Sequence, residues 1–391
     1  GLSGVQRDAG MDVVDMHGYW GHPVLKGGDW GTATVSSKPM VADPNGGAMA
    51  NFAVHRVQGK PFTVTEFNEG PPNQFRAEAL PMMASFAAWQ DWDGLVLFDY
   101  NDNRDRWKEP AFGSFFRMQN DPAILAMFPV AANIFLRGDL SPVAAQSVLQ
   151  VPMDQYPALA VQYLDTWTGM RTFWKDQGYS RDQLLKSRWS TEFVPSGVPH
   201  VQSDLLATNI LTDAVGNTAK AASNVAAPAP VLPLQWKLLP GGGLYTVDTA
   251  ASKIIIGKFD HTPSSPLQVS GFQISPGATK DHFVSATLTA LDNQPIAQSS
   301  KVLLTLAGMF TNTGFAWNEN NSVQYWGHAP MLAEAVPATV KITINKPTAT
   351  VYALDATGRR LNAIPSRMEN GQVVFTVTDS IKTIWYEISA Q

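Results

Sequence analysis

The segment from Pro61 to Asp99 constrains the fold most. It opens with PFTVTEFNEG (61–70) and closes with DGLVLFDYND (93–102), two short apolar runs bounded by turn formers. Between them QFRAEALPMMASFAAWQDW (74–92) carries apolar residues at spacings of three and four, which reads as a helix. Strand, helix, strand within this length is a βαβ unit, and its strands run parallel. Parallel sheets are covered on both faces, so the unit calls for further elements packed around it. A third run of the same kind, MDVVDMHGYW (11–20), supplies another strand, and all three read as buried.

The chain changes character twice more. Residues 120–215 place apolar residues at helical spacing in DPAILAMFPVAANIFLRGD, SPVAAQSVLQV and YPALAVQYLDTWTGMRTFWKDQ, with start signals at Asp121-Pro122 and Ser141-Pro142. This region is expected to be mostly helical. The Ala/Pro tract AASNVAAPAPVLP (221–233) reads as a semi-stiff linker. After it come KIIIGKF, LQVSGFQI, HFVSATLTAL, KVLLTLAGMF, TVKITI, TATVYAL, QVVFTV and IWYEIS, short strand-like runs with turn residues between them. Regular short strands with almost no helical signal predict a β-sandwich. The expected organisation is an α/β catalytic region over 1–220, a linker over 221–233 and an all-β accessory domain over 234–391.

Composition removes several chemistries. A formal charge of −5 leaves no basic footprint for nucleic acid or an anionic membrane surface. With no cysteine there are no disulfides, thiolate nucleophiles, zinc ribbons or iron–sulfur clusters. The longest apolar stretch, Ala123 to Leu136, holds a Pro and an Asn and falls short of the ~20 residues of a membrane span.

The sharpest chemical feature is Glu66, at the end of PFTVTEF. Counting by twos puts Phe62, Val64 and Glu66 on one face, an apolar strand ending in a carboxylate at its C-terminal edge. Ligands bind and catalytic groups project at that edge of parallel α/β folds. The run at 11–20 ends in His17, Gly18, Tyr19 and Trp20, and the run at 93–102 in Phe98, Asp99, Tyr100 and Asn101. Aromatic faces beside carboxylate, His and Asn suit a neutral sugar, which has apolar faces and polar edges. The candidate site residues are therefore Glu66 with His17, Tyr19, Trp20, Asn68, Tyr100 and Asn101.

These three runs resemble the sixth, seventh and eighth strands of clan A (β/α)8 glycoside hydrolases, the superfamily of cellulases, β-mannanases and β-galactosidases. The context Thr65-Glu66 resembles that of the family's nucleophile, Asp15 to Trp20 the end of its sixth strand, and Leu95 to Tyr100 its eighth. DPAILAMFPVAANIFLRGD and KVLLTLAGMFTNTGFAW resemble C-terminal regions of bacterial cellulase-like enzymes with a β-sandwich after the barrel. The resemblance implies a secreted or periplasmic retaining β-glycosidase that needs no cofactor and acts on β-linked poly- or oligosaccharides. Glu66 would be its nucleophile, and a second carboxylate ~5–5.5 Å away would protonate the leaving group and later activate water. It also implies donors holding Glu66 ionised, for which His17 and Tyr19 are the candidates.

The family's acid/base Glu follows an Asn well before the nucleophile, and no Asn-Glu pair precedes Glu66 here. Asn68-Glu69 lies just beyond it and makes Glu69 the acid/base candidate within reach. Three strands do not close a barrel. The expectation is a partial (β/α)8 barrel whose remaining strands lie on another polypeptide, are supplied by identical chains, or are replaced by the helical region. The opening GLSGVQRDAG, with neither initiator Met nor signal-peptide regions, favours a missing or separate N-terminal portion. A carbohydrate-binding or structural protein without chemistry is the alternative, as is one subunit of a split glycosidase.

Other patterns carry less. His17 and His22 match no metal-ligand spacing, and Gly241–Gly243 reads as a hairpin turn. Residues 101–106 read as a solvated loop. The cluster Trp317, Tyr325, Trp326 and His328 offers a sugar-binding platform or an aromatic core plug, with the plug preferred.

Overall fold

The structure, a computed structural model, describes residues 1–101, 108, 110–165, 168–197 and 232–391. The proposed linker lies outside them except for Leu232 and Pro233, and so does most of the 101–106 loop. Strands β1 (Val14–Tyr19), β2 (Val24–Lys26), β3 (Asp29–Thr34), β4 (Phe62–Asn68), β5 (Gly94–Leu97), β6 (Gln146–Pro152) and β7 (Arg188–Val194) belong to the mixed α/β part. Its helices are α1 (Leu2–Asp8), α2 (Gly47–Ala53), α3 (Ala79–Trp89), α4 (Pro122–Leu125), α5 (Phe128–Phe135), α6 (Tyr156–Gln162), α7 (Gly169–Asp176) and α8 (Arg181–Leu184).

The three strands expected from 11–102 form one parallel sheet in the order β1-β4-β5, with α3 as the crossover. Pro81 falls in the first turn of α3, where its missing N–H costs no helical bond. Every residue of α3 is buried, because the helix lies between this sheet and the C-terminal β-structure. The sheet is open, and the described residues form no closed barrel. Its strands are also not buried on both sides. Val14, Gly18, Phe62, Val64 and Phe67 are buried, whereas Asp15, His17, Thr65 and Val96 are exposed. The strands therefore alternate, since among the described residues helices cover one face only.

The described part of 120–215 is less helical than its spacing predicts, and residues 166–167 and 198–215 lie outside the described residues. Asp121 caps α4 as expected, its carboxylate accepting from Ala123 N–H at 3.1 Å. Ser141-Pro142, however, starts no helix, and Gln146–Pro152 and Arg188–Val194 pair in parallel through α6, α7 and α8. The last four residues of β6, 149–152, are all buried, and a short buried run has no period by which to tell strand from helix.

The C-terminal part is the antiparallel structure its pattern predicts. An eight-stranded sheet runs in the order Arg360–Ile364, Ala349–Leu354, Trp385–Ala390, Lys301–Ala307, Phe283–Ala290, Ser252–Lys258, Gly242–Asp248 and Leu234–Leu239. A five-stranded sheet packs on it through a core that includes Ile255, Phe272, Leu288, Val340 and Ile388. The turn between Leu239 and Gly242 is the hairpin expected at the triple glycine.

The boundary near residue 233 separates two topologies but not two cores. Trp236, Tyr245, Ile254, Ile256, Phe283 and Phe310 share one apolar cluster with Phe62, Phe86 and Ile134. Polar bonds cross at the same level: Ser85 Oγ meets Tyr245 Oη at 2.8 Å, and Trp236 Nε1 donates to Val41 O at 2.7 Å. Phe283–Ala290 is buried along its whole length because both of its faces are covered. The approach is closest at Gly243, where a Cβ would stand 2.0 Å from Val41 O. Gly243→Ala is therefore expected to cost about 2–3 kcal/mol by overpacking against backbone. Chemical denaturation measures this, and a loss below about 0.5 kcal/mol would mean that the seam is loose.

Candidate active site

A β-bulge decides where Glu66 points. The pairing of β1 with β4 steps from Met16↔Val64 to His17↔Glu66, leaving Thr65 as the extra residue. Glu66 therefore lies on the open face with Asp15 and His17, not with Phe62 and Val64 as counting by twos predicts. Phe67 then returns to the buried face and meets Phe52 of α2 edge to face at 6.1 Å. One extra residue lets an apolar strand keep its core contacts and still turn a carboxylate outward at its C-terminal end.

Each oxygen of Glu66 has a polar neighbour. The Tyr19 hydroxyl donates to Oε1, and His17 Nδ1 lies 3.1 Å from Oε2. Burial, followed by the bond to Glu66, raises the Tyr19 pKa, so the residue stays a neutral donor. The far side of the His17 ring faces Asp15 Oδ2 and Thr65 Oγ1, both at 3.2 Å. Asp15 is itself fixed by Thr63 Oγ1 at 2.6 Å, Thr65 N–H at 3.1 Å and Thr65 Oγ1 at 2.5 Å. A neutral imidazole carries one N–H and donates to one of the two carboxylates, whereas the doubly protonated ring donates to both. Asp15 thus positions His17, and His17 with Tyr19 positions Glu66, whose side chain is 26% exposed. Asp15 and Thr65 were not among the sequence candidates. The i, i+2, i+4 spacing of Asp15, His17 and Tyr19 is the signal that puts them on one face.

The remaining candidates separate. Trp20 donates its indole N–H to Lys38 O at 2.8 Å. Asn68 is fully buried, its amide donating to Phe98 O at 2.9 Å and to Phe116 O; it braces the rim. Tyr100 is half exposed, and Gln119 N–H donates to its carbonyl at 3.0 Å. Asn101 follows it, partly exposed. His22 packs edge-on against Tyr19 at 5.1 Å and bonds Pro23 O at 2.7 Å. Among the described residues no group of three His, Cys, Asp or Glu is placed to hold a metal ion. Phe98, Phe116 and Trp30, which the sequence reading did not select, complete the surroundings of Tyr19, with Phe116 4.9 Å from it and Trp30 5.9 Å from Phe116.

Glu69 lies in the interior, fully buried, accepting from Asn73 Nδ2 at 2.8 Å and adjoining Glu78. This is not the solvent-facing loop position that the acid/base reading assigns to it. Gly70 and the cis-linked pair Pro71-Pro72 fold the chain inward just after β4, where a Cβ on Gly70 would overlap Phe115 O. Glu78 is also fully buried and accepts from Met40 and Val41 N–H. Burial pushes Glu78 up to about 8, and burial followed by Glu78 raises Glu69 well above the usual range. The folded state therefore holds protons that the unfolded chain releases. That contribution to stability is complete below about pH 4.5 and is lost as pH rises through about 8. Glu69→Gln keeps an amide donor toward Glu78 and removes one of the two titrating groups. It is expected to reduce roughly by half the pair's share of the loss of stability between pH 5 and 8.5. Melting temperature against pH for both proteins reads this, and parallel curves would refute it.

No family model matches the chain, and comparison with the curated proteins and with the solved structures found no match.

Proposed function

We propose that this chain carries the nucleophile side of a retaining β-glycoside hydrolase site, on a part of a (β/α)8 barrel equivalent to its sixth to eighth strands. The observation that carries the reading is Glu66, a carboxylate turned outward by a bulge at the C-terminal end of a parallel strand and held by a phenol and an imidazole. The Tyr19 hydroxyl and the His17 ring fix its orientation on the open face of the sheet. In the reaction a Glu66 oxygen bonds to the anomeric carbon as the glycosidic C–O bond breaks. The leaving oxygen takes a proton from the acid, and water then displaces Glu66 after giving its proton to the same group.

The acid/base belongs in this reading to β/α units outside the chain. Two features support it: Glu69 is buried, and among the described residues no strand adds to β1 or β5 to extend the sheet and no helix packs on the face that carries His17 and Thr65, where parallel sheets are normally covered. A second polypeptide or further copies of this chain would cover that face and close the site.

Incubation with an aryl 2-deoxy-2-fluoro-β-glycoside tests the proposal, because an activated phenol leaves without an acid. The expected result is one glycosyl adduct by intact mass, mapped to Glu66. Absence of both adduct and aryl β-glycoside turnover, in the chain alone and with its co-purifying partners, would refute it. Polysaccharide binding without labelling would identify a binding protein instead.

A further inference from the structure

A row of aromatic rings leads from Glu66 onto the C-terminal β-structure. Tyr19, the donor to Glu66, lies 4.9 Å from Phe116, which lies 5.9 Å from Trp30 on the β2–β3 hairpin. Trp30 lies 6.0 Å from Phe115, and Phe115 lies 5.1 Å from Trp326. Neighbouring Tyr325, on the strand Val323–Tyr325, is 54% exposed, and Trp30 is 50% exposed. The preferred core-plug reading of this cluster predicts burial, as in the stacked pair Trp174 and Trp189, which are 1% and 2% exposed. The row keeps its rings partly open to solvent instead.

Three parts of the chain are joined to bring these rings together. Thr34 at the end of β3 bridges Ser322, and Val35 N–H donates to Asn321 O at 3.0 Å. Asn312, buried, donates one amide to Phe112 O at 2.7 Å and to Trp326 O at 2.8 Å, tying the rim segment to the C-terminal lobe. The exposed residues that flank Trp30, Tyr325 and Trp326 in the chain include the amides and hydroxyl of Asn318, Asn320, Gln324 and Thr32. Asp29 and Glu319 add negative charge in the same loops, which disfavours a polyanionic ligand.

From this we infer that the row is an extended binding track for a neutral, β-linked polysaccharide chain, running from Glu66 to Trp326 and Tyr325. The C-terminal lobe then belongs to the substrate cleft, and the site binds within a polymer rather than gripping a terminal sugar alone. Ring faces stack on pyranose faces while amides meet the hydroxyl edges, the pattern that recognises a sugar without charge. This inference rests on the glycosidase reading for the end of the track at Glu66.

The test is calorimetric titration of the full-length chain with β-1,4-linked glucose and mannose oligomers of two and six units. The variants are Trp30→Ala and Tyr325→Ala, both at exposed rings. The wild type is expected to bind at least one hexaose more tightly than its disaccharide, and each variant to lose about tenfold of that increment with an unchanged melting temperature. Fluorosugar labelling at Glu66 should be unaffected by Tyr325→Ala, since a monosaccharide probe held at Glu66 does not extend to Tyr325. A hexaose bound no better than the disaccharide, or equally by wild type and variants, overturns the track even if Glu66 is labelled. Failed labelling with a retained length increment removes the glycosidase reading and leaves the track.

Discussion

Glu66→Ala is expected to abolish covalent trapping by the fluorosugar and to lower aryl β-glycoside turnover by about 10⁴-fold or more in the active assembly, the scale at which removing a covalent nucleophile acts. The loss should fall on the chemical step. His17, Tyr19 and the rim aromatics remain in place, so binding of an unreactive oligosaccharide should change little. Added azide supplies a nucleophile small enough for the space left by the carboxylate. It should restore part of the turnover by bonding to the anomeric carbon while the phenol departs, giving the glycosyl azide of inverted configuration. An Ala variant that keeps more than about a tenth of wild-type turnover would show that Glu66 is not the nucleophile.

The second large effect is on stability, at Asp121→Asn. Asp121 and Arg76 are both fully buried; Arg76 Nε and NH2 donate to the carboxylate at 2.6 and 3.1 Å, while NH1 donates to Asn73 O. The Arg76 guanidinium also lies 4.8 Å above the Phe112 ring. Asn at 121 keeps an oxygen for the Ala123 N–H and so keeps the cap of α4. It leaves a buried guanidinium without its countercharge, which is expected to cost about 3–5 kcal/mol. Replacing both partners with apolar residues removes the stranded charge and should cost clearly less. Denaturant titration of the three proteins separates the cases; a double variant less stable than Asp121→Asn would show that the pair contributes more than the charge it neutralises.

What could be read from the sequence follows from how local each signal is. PFTVTEF, the Ala/Met helix and DGLVLF lie close together, and their pairing needs one short crossover. The eight C-terminal runs alternate or are bounded by turns, and each contains a strand of the final sheets. By contrast, the parallel pair Gln146–Pro152 and Arg188–Val194 is closed by three intervening helices, and its first strand ends in a buried run without a period. The bulge at Thr65 is invisible to alternation because one extra residue obeys no period; only the partner strand shows that Glu66 faces His17. Asn68 and Glu69, polar residues in a Gly/Pro-rich stretch, read as rim groups. They are buried because Gly70 folds the chain under Phe115 and gives them partners inside. Trp30, the exposed ring of a short hairpin, has no strong pattern around it and gains meaning only from Phe115 and Phe116.

The strand Phe283–Ala290, covered on both faces, has a consequence for how this protein can be taken apart. One of its faces helps close the apolar cluster around α3 and α5, while the other closes the core against the five-stranded sheet. A cut near residue 233 would expose α3 and α5 on one product and the residues that cover them on the other, and both products would tend to aggregate. The C-terminal half is thus not a detachable module that could be exchanged among enzymes; it is a shared wall. Thermal unfolding of the intact chain should accordingly register as one cooperative transition in which the two halves melt together.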